Sequence, residues 1–437
     1  MYRVLAFLRK LDSLVLKQTV RHLVDLSQEE LLEFKDKLPR NDVDTTRSIS
    51  LMCSSDIWCL LDLLVFDKRT RFIVLHYNEE AFKTNSYVRN RSDDRIFSIY
   101  QGILRECRGI MVDLSQFAVV TLPFPKFYKW DSPDDVLITE MVNHAEYTQA
   151  PIQVSEKKDG RFIQATCWDN NLVVATEFGF MDSAERRAFL NQPNHRKFLA
   201  EHPGDTMLFV HTCRKEPELV DYLDDELGYY LVGIRSNQTG KFATYLSIAR
   251  QAMDYNIKTA KYRGDMSWQD VFEDVHLMAA KNGKGYVVYV NGELVSVTTE
   301  NYLRCQELLM RPGWEENLVL AIARNDYAKF MQYVPEWLRE EVEAVHSELM
   351  EYERGMQQLL DKYVADWRDF NGSLDNLVDF MSEIPAPIKG AFSRVANTKF
   401  DPNSDPNLNW FMQGFRVDGI GCLSLAQIRK YKKEFLS

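Results

Sequence analysis

The chain has 437 residues, enough to bury a large core and to divide into two or three domains. Hydrophobic residues make up 45% and charged residues 27%, as in an ordinary globular protein, and no apolar run is long enough to span a bilayer, so no membrane association is expected. A formal net charge of −11 argues against extensive nonspecific contact with nucleic acid, while leaving room for a local basic groove.

The apolar stretch within Met1–Lys10 is too short for a secretory signal. The seven cysteines are odd in number and form no Cys-x-x-Cys pair, which fits a reducing cytoplasm and argues against structural zinc. Residues 3–38 read as helical: Leu5, Leu8, Leu11, Leu14 and Leu16 recur at near-helical intervals, and Ser27-Gln28-Glu29-Glu30 is a capping box. Ile57 to Tyr77 reads as a short helix turning into a strand around Phe72-Ile73-Val74-Leu75. Residues 1–90 are thus expected to form a helical and mixed N-terminal extension.

From Ile110 to Thr299 strands dominate. Phe162–Trp168 and Leu172–Thr176 flank Asp169-Asn170-Asn171, the signal of a hairpin. Ala184 to Glu201 reads as helical with an interruption at Pro193. Further strands are expected at Met207–Thr212, Tyr229–Arg235 and Tyr286–Val290. From Cys305 onward the pattern is helical. Val342, Val345, Leu349, Tyr352, Met356, Leu359, Tyr363 and Trp367 form a stripe that reads as the core face of a bundle, and 401–407 reads as a loop. A domain over 91–303 and a helical one over 304–437 follow.

The segment with most chemistry is Val154-Ser155-Glu156-Lys157-Lys158-Asp159-Gly160-Arg161. A lysine two residues before Asp-Gly, at the end of an apolar strand, suits a covalent nucleotidyl carrier. Its neutral amine can attack a nucleotide's α-phosphate and hold it as a phosphoramidate. The plainer reading of Lys-x-Asp-Gly alone is a solvated hairpin turn. Other motifs stand around it: Arg105-Glu106-Cys107-Arg108-Gly109-Ile110 and Leu122-Pro123-Phe124-Pro125-Lys126-Phe127-Tyr128 upstream, then Gly228–Arg235, Gly285-Tyr286-Val287-Val288 and Glu300-Asn301-Tyr302-Leu303 downstream. In this order the set resembles the phage RNA ligase 1 family of ATP-dependent RNA ligases, from about Asp93 to Tyr302.

The resemblance implies an α+β fold: a two-sheet antiparallel nucleotidyltransferase (adenylyltransferase) core, with a helical N-terminal extension before it and an all-helical C-terminal domain after it. It implies Lys157 as the nucleophile, with Lys158 in its place only if the frame shifts by one. Arg108 matches a family arginine near the nucleotide, and Lys126 a further family lysine. The cleft for nucleotide or RNA is expected to hold Glu156, Asp159, Gly160, Arg161 and Lys284 as well. ATP and Mg²⁺ would be the cofactors of an active member.

Several family positions do not match. The ribose glutamate falls at Val210, or at Leu208 in the other register. The metal-site glutamate is replaced by Lys284. The two phosphate lysines become Ser296 and Thr298, and a basic residue becomes Phe178. Exchanging a metal-binding carboxylate for an ammonium removes a ligand and adds repulsion. Glu216, Glu293 and Glu300 are the nearest spare carboxylates. The eight histidines show no metal-ligand spacing, and no metal site is expected.

Three functions follow. One is a degenerate ligase that binds RNA ends or tRNA through a cleft kept positive by its lysines and arginines, without efficient adenylyl transfer. Another is an active ATP-dependent RNA ligase for RNA or tRNA repair. The third is a protein-interaction module, an inhibitor or decoy, on a ligase fold.

Overall fold

The structure, a computed structural model, describes residues 2–37, 60–78, 103–129, 152–213, 219–290, 293–309, 314–369, 377–397 and 424–436. Helix α1 (Tyr2–Thr19) buries Val4, Phe7, Leu8, Leu11 and Val15, while Leu16 lies on its outer side. Each fully buried apolar side chain of this kind stabilises the fold by about 1.5–3 kcal/mol. Helix α2 (Gln28–Asp36) begins with the expected box: the Glu30 N–H donates to Ser27 Oγ at 3.1 Å and the Ser27 N–H to Glu30 Oε2 at 2.8 Å.

These helices cover one face of a four-stranded antiparallel sheet in the order β1 (Leu64–Arg69), β2 (Phe72–Tyr77), β3 (Arg108–Asp113), β4 (Ala118–Thr121). Strand period decides what each face meets. Ile73, Leu75, Ile110 and Val112 join the core of α1 and α2, whereas Val74, Met111 and Val120 meet Ala175 from the other side. The segment expected to be one strand is a hairpin, because Thr70 adopts φ 52° and lets the chain reverse between β1 and β2. The N-terminal helices therefore share a core with the strand that begins at Arg108.

Two five-stranded sheets carry the remaining motifs. One has the order β11 (Lys258–Thr259), β10 (Gly228–Ser236), β9 (Asp205–Thr212), β7 (Arg161–Trp168), β8 (Asn171–Ala175). The other has the order β12 (Tyr262–Met266), β6 (Ile152–Glu156), β13 (Gly285–Val290), β14 (Glu293–Thr298), β5 (Tyr128–Lys129). Both are antiparallel except for the short pairings β10–β11 and β14–β5. The β7–β8 turn uses Asp169 and Asn170 at φ 47° and 59°, as its sequence requires.

Helices Ser183–Leu190 and His195–Glu201 flank Pro193 as expected. The strand-rich reading missed two helices, Tyr245–Asp254 and Trp268–Leu277. Their signals were the caps Thr244 and Ser267, which accept the N–H groups of Ser247 and Asp270 at 3.3 and 3.1 Å.

The chain divides into two compact units, 1–218 with 222–278 and 283–298, and 219–221 with 279–282 and 299–437. The second unit is helical from Glu300. Its longest helix, Glu336–Asp369, buries Val342, Val345, Leu349, Tyr352, Met356 and Trp367, and the stripe passes through Leu360 rather than Leu359. Arg429 and Lys432 of helix Leu425–Phe435 pair with Glu348 and Glu351 at 3.0 and 2.7 Å. The loop at 401–407 lies outside the described residues, as does Glu216. Among the described residues no helix is long and apolar enough to cross a membrane.

Candidate functional site

The Lys-x-Asp-Gly turn leaves the end of β6 beside the start of β13. The Lys157 N–H donates to the Gly285 carbonyl at 2.9 Å, and Tyr286 pairs with Glu156 in register. Gly285 is required there: at φ +126°, a Cβ would stand 2.1 Å from the Val297 carbonyl oxygen. The Lys157 side chain, half-buried, then reaches β14, where its Nζ donates to Ser296 Oγ and Thr298 Oγ1, each at 2.7 Å. The two hydroxyls stand 3.3 Å apart. Both positions expected to be substituted phosphate lysines thus touch the expected nucleophile.

The neighbouring turn residues are held as firmly. Lys158 is buried, its Nζ 3.0 Å from Glu156 Oε1 and 4.9 and 4.6 Å from the ring centres of Tyr222 and Tyr230. The Asp159 N–H donates to the Tyr222 hydroxyl at 2.7 Å. The Asp159 carboxylate, itself buried, accepts from Lys284 Nζ at 2.8 Å. Arg161 pairs with Glu185. Gly160 follows with φ 145°. Burial, with Glu226 and Glu156 nearby, pushes the Tyr230 phenol up to about 12, so it stays a donor and bonds the Glu226 carbonyl at 2.7 Å.

Val210 is the middle of a row, between Phe162 on β7 and Tyr230 on β10. It lies half-buried on the face that Lys158 reaches, whereas Leu208 on the same face is fully buried. Leu208 Cδ1 and the Phe124 ring both crowd Gly233, where an added Cβ would meet them at 3.1 and 2.7 Å. Val210 is therefore the register position with room to face a ligand.

Arg108 opens β3. Its Nε donates to Glu177 Oε2 at 3.0 Å and its guanidinium lies 5.4 Å from the Phe127 ring centre. Gly109 has φ +97°, and a Cβ there would stand 2.7 Å from Glu177 Cα, so only glycine lets β3 approach the turn after β8. The Lys126 N–H donates to the Arg105 carbonyl at 2.8 Å, and two residues later β5 pairs with β14, Tyr128 with Val295 and Lys129 with Ser296. One line of contacts thus runs from Arg108 through Phe127 and β5 to Ser296 and Lys157. Phe178, by contrast, is 69% exposed.

Sequence reasoning missed the pairings that answer the cations: Glu177 with Arg108, Glu185 with Arg161, and Asp159, itself expected in the cleft, with Lys284. It also missed Arg235, buried and bonded through both terminal nitrogens to Glu106 at 3.0 Å each, which ties β10 to the Glu-Cys-Arg-Gly motif. The Cys107 thiol between them is fully buried and its pKa is raised by that burial, so it is no nucleophile. Of the spare carboxylates, Glu300 pairs with Arg304 on its own helix.

A divalent cation does not fit this turn. The residue that would ligate it is an ammonium donating to Asp159. Among the described residues no group of three or more His, Cys, Asp or Glu is arranged to hold a metal.

Two five-stranded, largely antiparallel sheets, with Lys157 at the end of β6, make the α+β core that carries the motifs. Residues 106–306 match the sequence profile of the family described as RNA ligase. No curated protein matches the sequence. Solved structures similar to the chain include two forms of an archaeal ATP-dependent RNA ligase. Form 2 is 14% identical with a TM-score of 0.36, covering 52% of this chain and 62% of that one. Form 1 is 13% identical with a TM-score of 0.41, covering 65% and 72%. An RNA ligase of Naegleria gruberi with pyrophosphate is 15% identical with a TM-score of 0.34, covering 42% and 59%. The chain thus spans less than two thirds of the length of the first and last of these.

Proposed function

We propose that the protein binds RNA ends or nicked tRNA through this cleft and transfers adenylate poorly or not at all. The observation that carries the reading is the surroundings of Lys157: its Nζ donates to two hydroxyls at 2.7 Å where the resembling family has lysines that hold phosphates. Adenylyl transfer builds negative charge on the α-phosphate and pyrophosphate, and it needs cations in place beforehand to meet that charge. Ser296 and Thr298 supply none. Lys284 stands where a metal carboxylate would be, so its charge is spent on Asp159 instead of a cation's ligand sphere.

Binding is supported because Arg108 and Lys157 lie at the two ends of one line of contacts through Phe127 and β5, and Lys126 immediately precedes Phe127 in the chain. A nitrocellulose-filter titration of nicked tRNA against salt tests it. Log affinity is expected to fall linearly with log salt, and Arg108→Ala with Lys126→Ala to lower the slope by about 1 to 2. Tight salt-independent binding to a protein, with no measurable RNA affinity, would replace this reading with an interaction module.

A further inference from the structure

The turn after β8 presents one large apolar ring to solvent and holds it rigidly. The Thr176 N–H donates to the Gly179 carbonyl at 2.8 Å, its hydroxyl to the same carbonyl at 3.2 Å, and the Phe178 N–H returns to that hydroxyl at 3.2 Å. From below, the Phe180 N–H donates to Asp67 Oδ2 at 2.9 Å, and that carboxylate is so close to Gly179 that a Cβ would stand 2.5 Å away. The backbone of this turn is thereby bonded from both ends. Phe178 stays 69% exposed, its ring meeting that of His76 edge-on with centres 5.8 Å apart.

Its surroundings decide what such a ring could meet. Arg108 pairs with Glu177 at 3.0 Å and Arg69 with Asp67 at 3.7 Å, so these two cations beside the turn each have a carboxylate partner. Phe178 itself, an apolar residue where the resembling family has a basic one, has no charge to offer a phosphate. A single exposed ring is also far smaller than the roughly 800 Å² that each partner buries in a stable protein interface. It matches the area of one unpaired base, and every base has a π-face to stack on it.

We propose that Phe178 is a stacking platform for an unpaired nucleobase of single-stranded RNA, a base contact beside the cations of this cleft. The inference rests on the RNA-binding reading above and specifies the substrate as single-stranded at this point.

The test uses the full chain and a fluorescein-labelled single-stranded RNA dodecamer, followed by fluorescence anisotropy. Phe178→Ala is expected to weaken binding by about 5- to 100-fold while leaving the salt slope unchanged, because stacking releases no counterions. Phe178→Trp should bind at least as tightly as the natural protein. In a set of dodecamers each carrying one abasic nucleotide, one position should erase the difference between the natural protein and Phe178→Ala, which places the base on the ring. The inference is overturned if Phe178→Ala binds the intact RNA as tightly as the natural protein, or if its loss persists at every abasic position. Should the natural protein bind no RNA at all, the RNA-binding reading falls and takes this one with it. Salt-dependent binding that ignores Phe178 removes this one alone.

Discussion

The corner at Arg108 and the corner at Lys157 keep the same kind of backbone device and differ in what their side chains touch. At Arg108, Gly109 lets β3 lie against the Glu177 backbone, and Gln164 Nε2 bonds the Thr176 carbonyl at 3.0 Å beneath it. At Lys157, Gly285 lets β13 lie against the Val297 carbonyl. Both glycines answer a steric demand of the fold. The arginine keeps a carboxylate partner, whereas the lysine meets two hydroxyls where phosphate-binding lysines are expected. Backbone shape and ligand chemistry are therefore separable here. The fold depends on the glycines and the buried apolar frame (Val154, Tyr286, Val288, Val295, Val297), and it tolerates change at the polar tips around them.

That separation can be broken from the frame side first. Gly285→Ala should destabilise the protein by about 3 kcal/mol or more, since it combines a positive φ with a backbone clash. An unfolding free energy from urea titration within about 1 kcal/mol of the natural protein's would show that the sheet is not fixed at this point.

A second frame effect is pH-dependent. His195 sits among Phe189, Phe209 and Tyr229, and burial lowers its pKa to about 4. The unfolded chain takes up a proton near pH 6.5 that the folded core refuses until about pH 4. The stability this group provides is thus complete above about pH 6.5 and lost as pH falls toward 4, a change of about 3 kcal/mol. Denaturation at several pH values should show His195→Gln with a correspondingly flatter acid limb; an unchanged limb would assign the loss to other groups.

At the polar tips the effects should shrink. Lys284→Ala leaves the buried Asp159 carboxylate without its ammonium and should cost about 2 kcal/mol, less than a fully buried pair because Lys284 keeps some exposure. Ser296→Ala or Thr298→Ala removes one hydroxyl accepting from Lys157 and should cost about 1 kcal/mol or less in calorimetry. If these outrank Gly285→Ala, polar tips rather than backbone shape hold the cleft together.

Much of the frame could be read in the sequence because its signals are local. Ser27 with Glu30, Asp169-Asn170 and Pro193 each act within a few residues, and each marks the element boundary it was expected to mark. Lys157 stood out because its motif lies at a strand end. What escaped depended on residues far apart in the chain. Arg235 meets Glu106, Lys284 meets Asp159, and the N-terminal helices meet β3, and no spacing rule links such partners. The turn that carries Phe178 is likewise tied to a distant residue, Asp67, whose Oδ2 accepts the Phe180 N–H.

The most direct test of a ligase fold without adenylyl transfer is to incubate the protein with α-labelled ATP and magnesium or manganese, then look for covalent label. We expect little or none on Lys157. An abundant acid-labile adduct, lost in Lys157→Ala, would contradict this and make the protein an active ligase.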